Sequence, residues 1–145
     1  MQINALVVDD SAVMRKMVMR ALNESRLAEF RFLESADGLE ALKQFKSNKV
    51  DVAFVDWNMP NMNGIDLVNQ IRSKEKHHVP IVMVTTEGTM GKVEEALDQA
   101  GVDSYIVKPF TTDMLKKKLG PLFQKLLESK VGHKGFFSRL ASRTG

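Results

Sequence analysis

Five short apolar runs, each followed by a stretch of helical periodicity, constrain this chain more than any other feature. The runs are Ile3 to Val8, Phe30-Arg31-Phe32-Leu33, Val52-Ala53-Phe54-Val55, Ile81-Val82-Met83-Val84 just after Pro80, and Tyr105-Ile106-Val107. The first, third and fourth read as continuously apolar, as strands covered on both faces should be. The second alternates and the fifth is short, which suits edge strands. Met14, Met17, Val18, Ala21 and Leu22 then recur at the spacing of one helix face. Ser11 is placed to cap that helix. Leu39, Leu42 and Phe45 mark a second helix, and Ile65, Val68 and Ile71 a third. Val93, Ala96, Leu97 and Ala100 mark a fourth, with Gly101 where it should stop. Leu115, Leu119, Leu122, Phe123 and Leu126 mark a fifth. Strand–helix alternation at this spacing predicts an α/β, doubly wound parallel sheet covered on both faces. Periodicity does not give the strand order, and such folds serve many functions, so function must come from the site.

The size and composition narrow the classes. A chain of 145 residues fits one domain with a substantial core. Cysteine is absent, which removes disulfides, zinc thiolates and thiol catalysis. No signal-peptide pattern precedes the first strand and no apolar stretch is long enough to span a bilayer. A cytoplasmic location is therefore expected. Of 21 basic residues only Lys134, Arg139 and Arg143 follow Lys130, and none of the 18 acidic residues does. The body, 1–130, is thus charge-balanced, and the basicity belongs to a tail, 131–145. A balanced body argues against nucleic-acid binding.

Ligands of an open parallel sheet bind beyond the carboxyl ends of its strands. The polar residues there are Asp9-Asp10 after the first run, Asp56 after the third, Thr85-Thr86 after the fourth and Lys108-Pro109 after the fifth. Glu34-Ser35 after the second is less distinctive. Clustered carboxylates repel one another and resist full ionisation. A hard cation such as Mg²⁺ relieves that repulsion and shares its shell with phosphate oxygens. One carboxylate can then attack phosphorus, while a cation and a hydroxyl stabilise the transferred oxygens. Taken singly, each residue has a bland explanation as a cap, a turn or a surface charge. Their conjunction at four of the five strand ends favours a phosphoryl-accepting metal site.

Those strand ends carry longer motifs: Leu6-Val7-Val8-Asp9-Asp10-Ser11, Asp56-Trp57-Asn58-Met59-Pro60-Asn61-Met62-Asn63-Gly64, Val84-Thr85 and Val107-Lys108-Pro109-Phe110. Over roughly residues 3–128 the chain resembles receiver domains of two-component response regulators, most of all the stand-alone chemotaxis type. The resemblance implies a flavodoxin-like sheet of order 2-1-3-4-5 flanked by five helices. It implies Asp56 as acceptor of a phosphoryl group from a histidine kinase of the CheA-like type. Asp10, Asp56 and the backbone carbonyl of Asn58 would bind Mg²⁺ directly, and Asp9 through water. Lys108, before a typically cis Pro109, would bind a phosphoryl oxygen. Thr85 and Tyr105 would form the switch that reshapes the surface of the fourth helix, fifth strand and fifth helix. Asn58 and Glu87 would influence loss of the phosphoryl group to water, and their types imply a short lifetime. The expected protein is a monomeric stand-alone regulator in chemotaxis or flagellar motor signalling. Its partner would be a motor switch protein or a phosphatase, bound according to phosphorylation. It would be no enzyme beyond self-catalysed phosphotransfer and autodephosphorylation.

Alternatives fare worse. A non-chemotaxis single-domain regulator or a phosphorelay intermediate would share the same site. A phosphoaspartate phosphatase would want Asp-x-Asp after the first strand, where Asp9-Asp10 are adjacent. An FMN binder would want a Ser/Thr-rich phosphate loop there, and Asp-Asp-Ser-Ala-Val-Met supplies none. Gly120-Pro121 interrupts the fifth helix, predicting a kink and not an end because the apolar face continues. Phe136, Phe137, Leu140 and Ala141 form one apolar face if the tail is helical, although Gly132 and Gly135 loosen it. The expectation is a tail frayed or docked on its own domain, without membrane contact. His77-His78 reads as solvated surface, and the nine methionines as mostly core filler.

Overall fold

A computed structural model describes residues 2–74 and 78–144, with side chains through Lys130. In chain order the elements are β1 (Gln2–Val8), α1 (Ala12–Ser25), β2 (Glu29–Ser35), α2 (Gly38–Ser47), β3 (Val52–Val55) and α3 (Gly64–Lys74). Then follow β4 (Ile81–Thr85), α4 (Met90–Glu94), β5 (Ser104–Val107) and α5 (Thr112–Thr144). A π-helical stretch, Glu95–Ala100, continues α4 directly. The five strands pair in parallel in the order β2-β1-β3-β4-β5. That order came with the resemblance and agrees with it.

Strand pleating divides the core into two layers. Ala5 and Val7 of β1 join Phe54 and Val82 beneath Val18 and Leu22 of α1 and Leu115, Leu119 and Phe123 of α5. Leu6 and Val8 join Ala53, Val55 and Met83 beneath Leu67 and Ile71 of α3 and Ala96 of the π stretch. Phe123 stacks on Phe54 and meets Phe30 edge-on. Its full burial contributes about 2 kcal/mol. Ser11 caps α1 as expected, accepting the Met14 N–H at 3.2 Å. Asp37 caps α2 through the Glu40 N–H at 2.8 Å.

Several local expectations change. The spacing of Val93, Ala96, Leu97 and Ala100 predicts an ordinary fourth helix, but its second half is π-helical. The wider turn buries Ala96 and Ala100 and leaves Leu97 exposed. Gly101 does stop it, in the left-handed region at φ 79°. Met17, expected on the buried face of α1, is exposed. Among the described methionines only Met83 is buried; Met17, Met90 and Met114 are exposed, and the others sit at partly buried seams. Methionine's flexibility suits such seams, where packing is irregular. His78 is exposed but meets the Asp103 carboxylate at 3.0 Å, and His77 lies outside the described residues. α5 does not end at Gly120-Pro121, in line with its apolar periodicity. The helix assignment runs to Thr144, and the expectation of a tail frayed or docked on its own domain falls on 131–145, whose side chains lie outside the described residues. Lys130, near the middle of α5, pairs with the buried Asp51 at 3.0 Å. Asp51 immediately precedes β3 and also accepts the Asn4 N–H at 2.8 Å.

Candidate functional site

The central strands β1 and β3 are neighbours, so residues far apart in sequence emerge side by side at their carboxyl ends. The Asp56 N–H donates to the Val8 carbonyl at 2.9 Å, extending the ladder one residue past the strands. Carboxylate oxygens of Asp9, Asp10 and Asp56 all lie within 4.8 Å of one another. Asp9 is buried, Asp10 exposed and Asp56 in between, which makes a cup open on one side. Lys108 reaches in from the end of β5. Its Nζ stands 2.8 Å from Asp9 Oδ2 and 3.8 Å from Asp56 Oδ1. The Lys108–Pro109 bond is cis.

Burial pushes the Asp56 carboxyl above its ordinary range. Asp9 adds to that push, while the Lys108 charge, the Thr85 hydroxyl and the Trp57 N–H oppose it. The Trp57 N–H donates to Asp56 Oδ1 at 2.9 Å. The Ser11 N–H likewise donates to Asp9 Oδ1 at 2.9 Å, fixing that carboxylate. Three carboxylates offer only hard oxygen donors, and one is already held above its normal titration range by burial. That donor set suits Mg²⁺ and disfavours soft or nitrogen-seeking metals.

The switch candidates lie on the β4–β5 side. Thr85 is fully buried, and its Oγ1 accepts the Glu87 N–H at 3.3 Å. Tyr105 is also buried, and its hydroxyl donates to the Glu87 carbonyl. Burial, with Glu87, Asp56 and Glu95 nearby, pushes that phenol up to about 12. Asn58 Nδ2 donates to Glu87 Oε1 at 3.0 Å, so the two residues at the solvent side of the cup touch. All eight residues singled out from the sequence thus lie around one strand end or its rim.

Other contributors escape sequence reasoning. Arg15 of α1 donates to the Asp9 carbonyl at 2.7 Å and to Glu34 Oε1 at 3.0 Å, bracing the end of β1 against β2. Lys92 of α4 sits 4.7 Å from the Trp57 ring centre, linking α4 to the residue beside Asp56. Gly64, the first residue of α3, lies against the Asp56 backbone. A Cβ there would stand 2.2 Å from the Asp56 carbonyl oxygen. The glycine's part in the terminal motif gave a signal, but nothing local announced the contact.

The model of the response regulator receiver domain matches residues 5–120, which takes in all four strand-end motifs. The chain belongs to the response regulator receiver family. Among relatives, this receiver is 48% identical to chemotaxis protein CheY1 of Helicobacter pylori over 116 residues, covering 79% of this chain and 91% of that protein. It is 44% identical to chemotaxis protein CheY-3 of Vibrio cholerae over 122 residues, covering 83% and 92%. The solved chemotaxis response regulator CheY4 of Vibrio cholerae superposes with a TM-score of 0.73 at 33% identity, covering 87% of the receiver and 99% of that chain. Among the described residues, no helix is long and apolar enough to cross a membrane.

Proposed function

We propose that this receiver is a stand-alone response regulator of chemotaxis type that carries a transient phosphoryl group on Asp56. The observation that supports it most is the half-buried Asp56 carboxylate beside Asp9, Asp10 and the Lys108 ammonium. An Asp56 carboxylate oxygen attacks the phosphorus of a kinase phosphohistidine. The new P–O bond forms as the P–N bond breaks, and the imidazole leaves with the electron pair and takes a proton. Asp10, Asp56 and the Asn58 backbone carbonyl would hold Mg²⁺, with Asp9 acting through water. When bound, that ion neutralises charge on the transferring oxygens. Lys108 moves from the Asp9 carboxylate toward a phosphoryl oxygen, and the Thr85 hydroxyl donates to another.

The added charge is read by the β4–β5 side of the sheet. Thr85, the Glu87 backbone and Tyr105 are hydrogen-bonded in series, so a displacement of Thr85 is transmitted to β5. Met90, Leu97 and Val107 are exposed on α4, the π stretch and β5. That apolar surface fits an amphipathic segment of a motor switch protein or phosphatase. The Asn58–Glu87 pair governs access of water to the phosphoryl group and with it the signal's lifetime.

Trp57 is the only tryptophan, and it adjoins Asp56. Its fluorescence should change on addition of Mg²⁺ and again with a small phosphodonor. The second change should vanish in Asp56→Asn. A phosphodonor response that survives the substitution refutes the assignment.

A further inference from the structure

We propose that Lys92 is a latch: its ammonium, set over the Trp57 ring, holds the first half of the fourth helix in place and opposes phosphorylation of Asp56. This deepens the reading above and rests on Asp56 as acceptor. The fourth helix is held very differently at its two ends. At the far end, Arg72 of α3 joins the approach to β4 to the end of the π stretch. Its Nη1 donates to the Val79 carbonyl at 2.7 Å, and its Nη2 to the Gly101 carbonyl at 3.0 Å and to Asp103 Oδ2 at 3.1 Å. Asp103 Oδ2 also accepts the Ile81 N–H at 2.8 Å. Just before that clamp, Ala96 and Ala100 are buried. The near end has no such anchor. No residue of α4 is buried, and Thr89 at its start makes no side-chain capping bond. Val93 is partly buried against the core, and Lys92 places its Nζ 4.7 Å from the Trp57 ring centre. Among the described residues Lys92 forms no ion pair, so the ring is its recorded side-chain partner.

Trp57 is 5% exposed, so little water competes with the ammonium for its ring. The N–H of the same residue donates to Asp56 Oδ1, which places the ring next to the acceptor. The contact belongs to the arrangement in which Lys108 pairs with Asp9 and Thr85 Oγ1 accepts the Glu87 N–H. In the phosphorylated arrangement Thr85 turns to the phosphoryl group, and Glu87, bonded to it, follows. Lys92 lies five residues beyond Glu87, on a helix clamped at Gly101. The displacement therefore falls on α4, and the ammonium is drawn off the ring. Loss of a cation–π contact at a site of this exposure weighs against the phosphorylated arrangement about two- to fivefold. Lys92 is thus a positioning residue, acting on Asp56 through Trp57 and through the freedom of α4.

The test uses the full chain with Mg²⁺ and acetyl phosphate, labelling being followed by phosphate-affinity electrophoresis. Lys92→Met keeps a good helix former and removes the charge. It should be labelled about two- to fivefold faster than wild type. Lys92→Arg, whose guanidinium also rests on aromatic faces, should keep the wild-type rate. In a Trp57→Leu background Lys92→Met should have no further effect, because the ring is gone. Amide hydrogen exchange without phosphodonor is the second readout. Lys92→Met should speed exchange at the Val93 and Glu95 amides, which are hydrogen-bonded within the helix, by a similar factor. The Val102 and Asp103 amides at the clamped end should exchange as in wild type. A lysine that is only a surface charge moves neither the rate nor this pattern. Labelling that is lost in Asp56→Asn but equal or slower in Lys92→Met overturns the latch alone. So does unchanged exchange at Val93 and Glu95, or a Lys92→Met effect of full size in the Trp57→Leu background. Labelling that survives Asp56→Asn overturns the acceptor assignment, and the latch with it.

Discussion

Gly64→Ala is a small substitution that should damage this receiver twice. The Cβ it adds would stand 2.2 Å from the Asp56 carbonyl oxygen and 3.0 Å from the Trp57 Cα. Real Cβ atoms do not approach closer than 3.0 Å, so the first contact must open by about 0.8 Å. The obstacle is backbone and cannot swing aside. Gly64 also donates its N–H to the Trp57 carbonyl at 2.8 Å, which ties α3 to the loop that would have to move. Overpacking of this kind costs about 1–3 kcal/mol. The alanine's better helix propensity offsets at most about 1 kcal/mol of that. A net loss of about 1–2 kcal/mol should lower Tm by roughly 3–8 °C in a domain of this size. A displacement approaching 1 Å at the acceptor should also slow phosphorylation by about ten- to a hundredfold. Thermal melts followed by circular dichroism measure the first effect, and Trp57 fluorescence with a small phosphodonor the second. Gly91→Ala is the control, because no atom lies within 4 Å of its added Cβ. It should leave the rate unchanged and raise stability by up to about 1 kcal/mol. A Gly64→Ala protein with wild-type Tm and wild-type rate would refute the steric reasoning.

Asp56→Asn should stabilise the metal-free protein at neutral pH. Burial raises the folded carboxyl above its ordinary range, so folding favours the neutral form. That contribution is complete below the unfolded pKa and is lost as pH rises through the raised folded value. Melts in chelator should show the variant ahead at neutral pH, the gap closing toward acid; a gap that widens toward acid contradicts the sign. Lys108→Ala should cost the metal-free protein about 3 kcal/mol, because the buried Asp9 loses its cation at 2.8 Å. Denaturant titration checks this, and a loss under about 1 kcal/mol would mean that Asp9 is otherwise compensated. Asn58→Ala and Glu87→Ala should change the dephosphorylation rate non-additively, since the two side chains bond at 3.0 Å. Additive effects in the double variant would mean that they act separately.

The carboxylate cluster was legible because each polar residue directly follows an apolar run, and parallel strands bring those ends together. Asp9, Asp10, Asp56, Thr85 and Lys108 all follow that logic. Their supports did not, because they depend on contacts between elements. Nothing near Arg15 says that it spans from the Asp9 carbonyl to Glu34. Asp51 and Lys130 lie far apart in sequence and look like ordinary surface charges until the helix is laid beside the sheet. The expectation of an α-helix over Val93 to Ala100 failed for a physical reason. Ala96 and Ala100 are small enough to pack under either helical pitch, so their spacing could not distinguish the two. The methionines misled similarly, since hydrophobic type alone does not separate a core position from a seam.

The π-helical stretch also affects how this receiver is to be compared with its relatives. A π turn takes one more residue than an α turn to close a hydrogen-bonded ring. Here the Gly101 N–H reaches back to Ala96. Residue numbering and angular position therefore fall out of step within Glu95–Ala100. A contact residue transferred from a receiver with an uninterrupted fourth helix lands on different sides of that helix depending on where the count starts. Positions in Met90–Glu94 should be counted forward from Thr85, and positions beyond the π stretch backward from Gly101. Substitutions chosen by counting straight through would alter a neighbouring face, and a null result from them would say nothing about the surface intended.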